Sequence, residues 1–252
     1  MSSSAHLLAV SQIFGWQDPG AAFTAISQIG TEAAVLIYFR RDIARITVSW
    51  AKSLRQPALR SSIDARMGWY VILGTIPIVV LGITFTSQIE TIARNLWLTA
   101  AMLAGFGLLL GAADRWGHRT REISSLRAKD AILLGGAQAL ALVPGVSRSG
   151  ATITMGLTLG LTREAATRYA FLLAIPAVLG SGAYEATRIS NDPDVAWGAV
   201  IVATVIAFSV GYLVISWLIR YIATNSYLPF VLYRLGFAGV LVVLLLAGVL
   251  NA

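Results

Sequence analysis

The chain has 252 residues, of which 57% are hydrophobic and only 12% are charged. This balance is far too apolar for a soluble domain and is typical of a helical membrane protein that crosses the bilayer several times. The formal net charge of +7 would suit a nucleic-acid partner, but the basic residues concentrate in two segments between apolar runs, residues 40–66 and 115–129. That distribution is typical of the cytoplasmic side of a membrane protein and argues against nucleic acid.

The first apolar segment, residues 7–14, is too short to cross a hydrocarbon core that needs about 20 residues, so we predict that it is re-entrant or interfacial. Six later runs are predicted to span the membrane, and Pro176 is expected to kink the fourth of them. These runs are residues 21–39, 69–85, 96–113, 165–184, 196–219 and 230–250. The basic segment 40–66 is predicted to be a cytoplasmic loop, and residues 114–130 a second one.

A second short segment lies between the third and fourth predicted spans. Residues 131–143 would form a helix of about 20 Å, which falls short of a crossing. Pro144 and Gly145 end that run, and residues 151–161 provide an equally short return. We therefore predict a helical hairpin that enters and leaves by the cytoplasmic face.

The order of these segments predicts two inverted repeats within a single membrane domain, residues 1–252. Repeat one covers residues 1–113, repeat two covers 131–252, and the cytoplasmic linker 114–130 joins them. Each repeat has one short segment followed by three spans, and because three is odd the second copy is upside down. Such repeats bring their broken segments together near the bilayer midplane, where irregular backbone is tolerated only against protein or water. The fold class is therefore all-α and polytopic, with six transmembrane helices and two re-entrant segments.

The turn inside the second short segment has the chemistry of an anion site. Arg148 offers a planar fork of donors that matches phosphate oxygens, and a helix that starts beside Ser149 would present free amides to an anion. The hydroxyl of Ser147 is a further donor, while Gly145 and Gly150 allow the main chain to approach a ligand closely. The alternative is an ordinary solvated loop at the membrane surface.

The first short segment supplies reactive groups opposite this turn. Ser3 and His6 are three residues apart, which places a nucleophile and a general base within one helical turn. A histidine near a chain end is otherwise often incidental. Glu32, with Gln28 one turn before it, is an acid inside a predicted span and hence a functional candidate. Its alternative role is a contact between helices.

Four motifs resemble the undecaprenyl-diphosphate phosphatases of the bacitracin-resistance type, and the resemblance runs through essentially the whole chain. They are Ser-Ser-Ser-Ala-His-Leu near the start, residues 138–152 around Pro-Gly-Val-Ser-Arg-Ser-Gly, residues 171–177 and residues 233–236, Tyr-Arg-Leu-Gly. The resemblance implies an enzyme of the bacterial inner membrane that hydrolyses undecaprenyl diphosphate and so recycles the lipid carrier of cell-wall synthesis. The implied partners are the polyprenyl diphosphate lipid and the membrane, with a homodimer as a further expectation.

By position, the resemblance implies that Ser3 is the nucleophile, His6 the catalytic histidine and Arg148 the phosphate-binding arginine. The predicted phosphate-binding set is completed by Ser2, Gly145, Ser147, Ser149 and Gly150. A divalent cation, Mg²⁺ or Ca²⁺, is also implied. The acidic motif that the family credits with metal binding precedes the serines and is absent from this sequence, so the metal ligands stay unknown and we expect the natural start to lie upstream of Met1.

A second hypothesis belongs to another class of protein. Inverted repeats with broken helices at mid-membrane are also a transporter architecture, so the chain could instead be a transporter or flippase of an anionic polyprenyl lipid. A transporter needs the arginine but not an adjacent serine and histidine, so the chemistry of the two short segments favours the hydrolase.

Overall fold

The structure is a computed structural model and describes residues 3–13, 20–85, 88–89, 95–189 and 197–250, in some helical positions by the main chain alone. These residues are almost entirely helical, and the one β-type pairing among them is an isolated bridge between Arg121 and Leu161. The predicted all-α class is confirmed. The helices are α1 (Ser3–Ile13), α2 (Gly20–Tyr38), α3 (Arg40–Arg55), α4 (Ile63–Thr84), α5 (Leu96–Trp116), α6 (Ala128–Ala139), α7 (Arg148–Thr158), α8 (Arg163–Ile189), α9 (Trp197–Thr224) and α10 (Leu228–Leu246).

Four helices within the described ranges are long and apolar enough to cross a membrane: α4, α5, residues 200–224 of α9, and α10. Most of their surface faces outward, since between 11% and 33% of each apolar window is buried inside the protein. Outward-facing apolar side chains on long helices suit a lipid solvent. The chain is therefore a multi-pass membrane protein. Two further helices, α2 and α8, occupy the remaining predicted spans, and α8 continues as one helix through Pro176.

The prediction of a loop over residues 40–66 is wrong, because most of this segment is the helix α3. The basic residues alternate with apolar ones at helical spacing, and the charges suit the helix dipole, with Asp42 in the first turn and Lys52 and Arg55 in the last. Arg45 also pairs with Asp42 at 3.0 Å, one turn away. A high density of charge marked the segment as outside the hydrocarbon core but did not exclude a helix.

The described chain forms two compact units. The first comprises residues 1–17, 73–170 and 222–252, and the second comprises 18–72 and 171–221. In the second unit α2 approaches α9 closely at Gly30, where a Cβ would lie 2.3 Å from the carbonyl oxygen of Thr204. The first unit contains all of the short helices α1, α6 and α7.

The core of the first unit joins α1, α5 and α10. Buried alanines of α1 contact buried leucines of the two long helices, and this packing explains why a helix of 11 residues is held in place. The cluster contains Ala5, Ala9, Leu96, Ala100, Leu103, Ala238, Leu241, Leu245 and Leu250.

The predicted hairpin at residues 131–161 is present as two short helices that pack on each other. Helix α6 has 12 residues and α7 has 11, so each is about 17 Å long and neither spans a bilayer. A 3₁₀ turn, Leu140–Leu142, and an irregular stretch up to Ser147 connect them. At Gly135 the main chain of α6 comes so near to Gly74 of α4 that a Cβ would lie 2.2 Å from the Gly74 carbonyl oxygen.

Candidate active site

The turn that precedes α7 has a strained backbone. Gly145 has φ +87°, and a Cβ there would lie 2.4 Å from the carbonyl oxygen of Thr99, so no other residue fits without movement of the chain. Ser147 has φ +71°, which is unfavourable for a residue with a side chain. Such conformations persist only where the surroundings fix them, and they occur most often at functional sites.

Ser147 is the N-cap of α7. Its hydroxyl oxygen accepts a hydrogen bond of 3.3 Å from the main-chain N–H of Gly150, and its side chain is buried. This contact satisfies one of the amides that a helix start leaves open. Arg148 and Ser149 follow as the first helical residues, and both are half-buried. The start of α7 therefore places a guanidinium and a hydroxyl on the first turn of a helix whose dipole favours an anion.

A second arginine, Arg234 in the second turn of α10, is hydrogen-bonded to the turn before α7. Its side chain is 2% exposed and donates hydrogen bonds only to main-chain carbonyl oxygens, of which the shortest is 2.8 Å, to Gly145. Other bonds reach Val146 at 3.2 and 3.3 Å and Leu103 of α5 at 3.2 Å. The guanidinium thus fixes the carbonyl groups that the turn leaves without helical partners.

The charge of Arg234 is not neutralised by a carboxylate among the described residues. Its Nη1 lies 3.1 Å from the point where a Cβ on Gly150 would sit, which places the positive charge directly beside the first turn of α7. In a low-dielectric interior, such a charge acts strongly on its neighbours. Together with Arg148 and the helix dipole, it makes the start of α7 electropositive.

His6 is attached to the same helix that carries Arg234. Its Nε2 and the hydroxyl of Tyr233 are joined by a hydrogen bond of 2.7 Å. The imidazole also stacks on the ring of Phe237, with centroids 4.3 Å apart. Tyr233 and Phe237 are four residues apart and so share one face of α10. Two adjacent residues of α10 thus contact the two predicted parts of the site. Tyr233 binds His6 of α1, and Arg234 binds the turn before α7.

The remaining predicted residues are placed as follows. Ser2 lies outside the described residues, while Ser3 begins α1 and the structure describes its main chain only. Gln28 belongs to α2, and its side chain is likewise not described. Glu32 is half-buried in the second unit, with Oε2 2.9 Å from the Cβ position of Gly182 in α8. The roles assigned to these residues stay predictions.

Sequence reasoning missed three residues of this region. Two of them, Tyr233 and Arg234, belong to the Tyr-Arg-Leu-Gly motif, which by itself assigns them no role, although an arginine inside an apolar span is a functional signal. Gln138, in the last turn of α6, is fully buried, and neither atom of its amide has a hydrogen-bond partner among the described residues. A buried amide without partners costs free energy, so Gln138 is not an ordinary apolar core residue.

A buried polar cluster lies where α5, α8 and α10 end or begin. Asp114 pairs with Arg163, and the hydroxyl of Tyr227 is hydrogen-bonded to that of Thr167. Burial raises the pKa of Tyr227 well above the ordinary value for a phenol, because the phenolate would lose its solvation there. Tyr227 therefore stays protonated at physiological pH.

The divalent cation that the resemblance implies would need acidic or histidine ligands close together, and the described residues do not gather three of them. No three side chains of His, Asp or Glu converge anywhere in the described ranges. Hard cations such as Mg²⁺ and Ca²⁺ need several oxygen ligands, and clustered carboxylates do not supply them within the described ranges.

The fold and the candidate site place this chain among the multi-pass helical membrane proteins that carry a positively charged turn between two short helices. The chain matches the family described as bacitracin resistance protein BacA over residues 1–240, and it belongs to that family. Relatives named undecaprenyl-diphosphatase from Kineococcus radiotolerans and Nocardioides sp. are 57% and 55% identical over 100% of this chain, which covers 90% and 92% of their lengths. A third, from Thermobifida fusca, is 54% identical over 100% of this chain and 86% of its own length. The family predicted from the motifs is confirmed.

Proposed function

We propose that this protein hydrolyses undecaprenyl diphosphate to undecaprenyl phosphate and inorganic phosphate. The observation that carries the proposal is the attachment of His6 and of the cationic turn to adjacent residues of α10. A diphosphate head group needs positive charge and hydrogen-bond donors, and its cleavage needs a group that moves a proton. The membrane-spanning helices suit the polyprenyl chain, and the names of the relatives agree with this substrate.

In the proposed mechanism, the start of α7 binds the phosphate, and α1 provides the nucleophile and the general base. Arg148 and the amides at the start of α7 bind the oxygens of the terminal phosphate and offset the charge that develops on them. The hydroxyl oxygen of Ser3 attacks the terminal phosphorus while His6 accepts its proton, and the bond to the bridging oxygen breaks. His6 passes the proton to that oxygen as undecaprenyl phosphate leaves, and the neutral imidazole can then accept a proton from the water of the next step. Water then hydrolyses the phosphoserine and releases phosphate, which restores Ser3.

The site is proposed to lie within the finer membrane topology that the sequence predicts. This comprises six transmembrane helices and two re-entrant segments in two inverted repeats, in the bacterial inner membrane. In support, α1, α6 and α7 are all too short to span, and α2 and α8 start near the predicted positions. We further propose that the protein forms a homodimer and uses a divalent cation. Loss of phosphate release on chelation, reversed by added Mg²⁺ or Ca²⁺, would support the role of the cation.

The decisive experiment measures phosphate release by the full chain in detergent with undecaprenyl diphosphate as substrate. Since detergent removes the two compartments, a flippase releases no phosphate there, whereas a phosphatase does. We expect His6→Gln and Arg148→Lys to lower the rate by a factor of about 10² or more, the usual size of a general-base or charge-stabilising contribution.

Matched controls are available for both variants. His118, the other histidine of the chain, is exposed in the linker, and Arg220 is exposed on α9. His118→Gln and Arg220→Lys should therefore keep the wild-type rate. Absence of phosphate release by the wild-type protein, or equal rates in site and control variants, would contradict the proposed function.

A further inference from the structure

The His6 imidazole is held on two sides by one face of α10. The hydroxyl of Tyr233 is 2.7 Å from Nε2, and the two rings are nearly parallel, with an interplanar angle of 7°. The ring of Phe237, one turn further on, lies parallel to the imidazole at 9°. The hydrogen bond fixes the edge of the imidazole, and the stacking fixes its plane.

We propose that Tyr233 is a positioning residue for His6, which it holds in the orientation required for proton transfer. This inference rests on the proposed function, in which His6 accepts the proton of the nucleophile. An imidazole on a short helix can rotate about its χ2 torsion, which has broad wells. In the proposed role, Nε2–H donates to the hydroxyl oxygen of Tyr233, which selects one of these orientations and makes Nδ1 the nitrogen that accepts the proton of the nucleophile.

Two observations separate this role from ordinary core packing. The side chain of Tyr233 is 44% exposed, so its hydroxyl is not needed to fill the interior. Its neighbour Arg234 binds the carbonyl groups of Gly145 and Val146 before Arg148. Helix α10 therefore sets the position of His6 and of the phosphate-binding turn through consecutive residues, and a shift of this helix would displace both.

The test compares Tyr233→Phe with wild type in phosphate release by the full chain in detergent. The variant keeps the stacked ring and loses only the hydroxyl. We expect kcat to fall by about tenfold, the effect of one hydrogen bond on a reacting group, whereas KM and the midpoint of thermal unfolding stay unchanged. The matched control is Tyr221→Phe on α9, where the tyrosine ring stacks on Trp217, and it should leave kcat unchanged.

A double-mutant cycle distinguishes positioning from a general structural role. If Tyr233 acts through His6, Tyr233→Phe will not lower the residual rate of the His6→Gln protein further. Phe237→Leu, which removes the stacked ring, should likewise lower kcat in the wild-type background and have no further effect beside His6→Gln. The second variant keeps the test valid should the first fold poorly.

The possible failures are distinct. Absence of phosphate release by the wild-type protein would overturn the proposed function itself, whereas a wild-type rate in His6→Gln would remove His6 from the reaction and with it the positioning role. An active, His6-dependent enzyme in which Tyr233→Phe has wild-type kcat, or lowers the rate equally with and without His6, would overturn the positioning role alone.

Discussion

The carboxylate of Asp114, at the end of α5, lies 2.5 Å from Nε of Arg163 at the start of α8, and its second oxygen accepts the main-chain N–H of Tyr227 at 2.9 Å. One side chain that is 7% exposed thus joins the ends of three helices. Loss of one partner from a buried ion pair leaves the other charge uncompensated. We expect Asp114→Ala to lower the free energy of unfolding in detergent by about 3–5 kcal/mol.

The control for this variant is an ion pair at the surface. Asp42 and Arg45 of α3 are also paired, but the Arg45 side chain is 61% exposed. Exposed pairs contribute little, so Asp42→Ala should change the free energy of unfolding by about 1 kcal/mol or less. Equal effects of the two substitutions would show that the Asp114 cluster does not hold the helix ends together.

The buried hydroxyl of Tyr227 predicts an alkaline limit to stability. Because its pKa is raised in the folded protein, the stabilising contribution is complete below the unfolded-state pKa of about 10 and is lost as the pH rises above that value. The difference in the free energy of unfolding between wild type and Tyr227→Phe should be constant up to about pH 9 and should then fall by up to about 1.4 kcal/mol per pH unit. Denaturant titrations of both proteins between pH 7 and 11.5 measure this difference, and a constant value throughout would contradict the prediction.

The positive φ of Gly145 predicts that alanine is not tolerated in the turn. The added Cβ would meet the carbonyl oxygen of Thr99, and we expect Gly145→Ala to lower the free energy of unfolding by at least about 1–3 kcal/mol, together with activity. Gly136 is the matched control, since it lies inside α6 and its Cβ would have no neighbour within 4 Å. Gly136→Ala should instead stabilise the protein by about 0.5–1 kcal/mol, because glycine is a poor helix former.

Substitution of Arg234 tests whether the geometry of the turn before α7 depends on the guanidinium group. Lysine keeps the charge but cannot present a planar fork to carbonyl groups on two elements. We expect Arg234→Lys to raise KM for the lipid diphosphate by about tenfold, corresponding to about 1.4 kcal/mol of lost binding. Arg220→Lys serves again as the control, and unchanged KM in a folded Arg234→Lys protein would show that the turn does not depend on the guanidinium.

Ser3 is the predicted nucleophile, and Ser4 beside it has no assigned role. Ser3→Ala should lower turnover by a factor of about 10² or more, whereas Ser4→Ala should keep most of it. Rapid quenching with a substrate labelled in its terminal phosphate should trap a phosphoprotein in wild type and none in Ser3→Ala. Near-normal turnover in Ser3→Ala, with His6→Gln inactive, would instead indicate water or histidine as the nucleophile.

The sequence predicts those parts of the fold that depend on local pattern. Apolar length located the helices, and Pro144 with Gly145 located the turn between α6 and α7. The charge density of α3 predicts a loop, although the spacing of its charges is that of an amphipathic helix.

The candidate site was predictable only in part, because some of its contacts join residues that are far apart in the sequence. His6 and Arg148 stand in motifs whose chemistry is visible from neighbouring residues. The roles of Tyr233 and Arg234 depend on contacts with residues 227 and 89 positions away in the chain, respectively. Only the packing of α10 against α1, α5 and the turn brings these residues together, and periodicity carries no information about such pairings.

The predicted linker, residues 114–130, also stabilises the folded structure through its own hydrogen bonds. The main-chain N–H groups of Thr120 and Arg121 donate to the carbonyl of Gly160, and the guanidinium of Arg121 bonds to Leu159 and to Asp130, so this segment ties together the base of the α6–α7 hairpin. An epitope tag or reporter inserted between residues 119 and 122 would therefore cut a structural brace, and fusion experiments that map topology should place their junctions elsewhere.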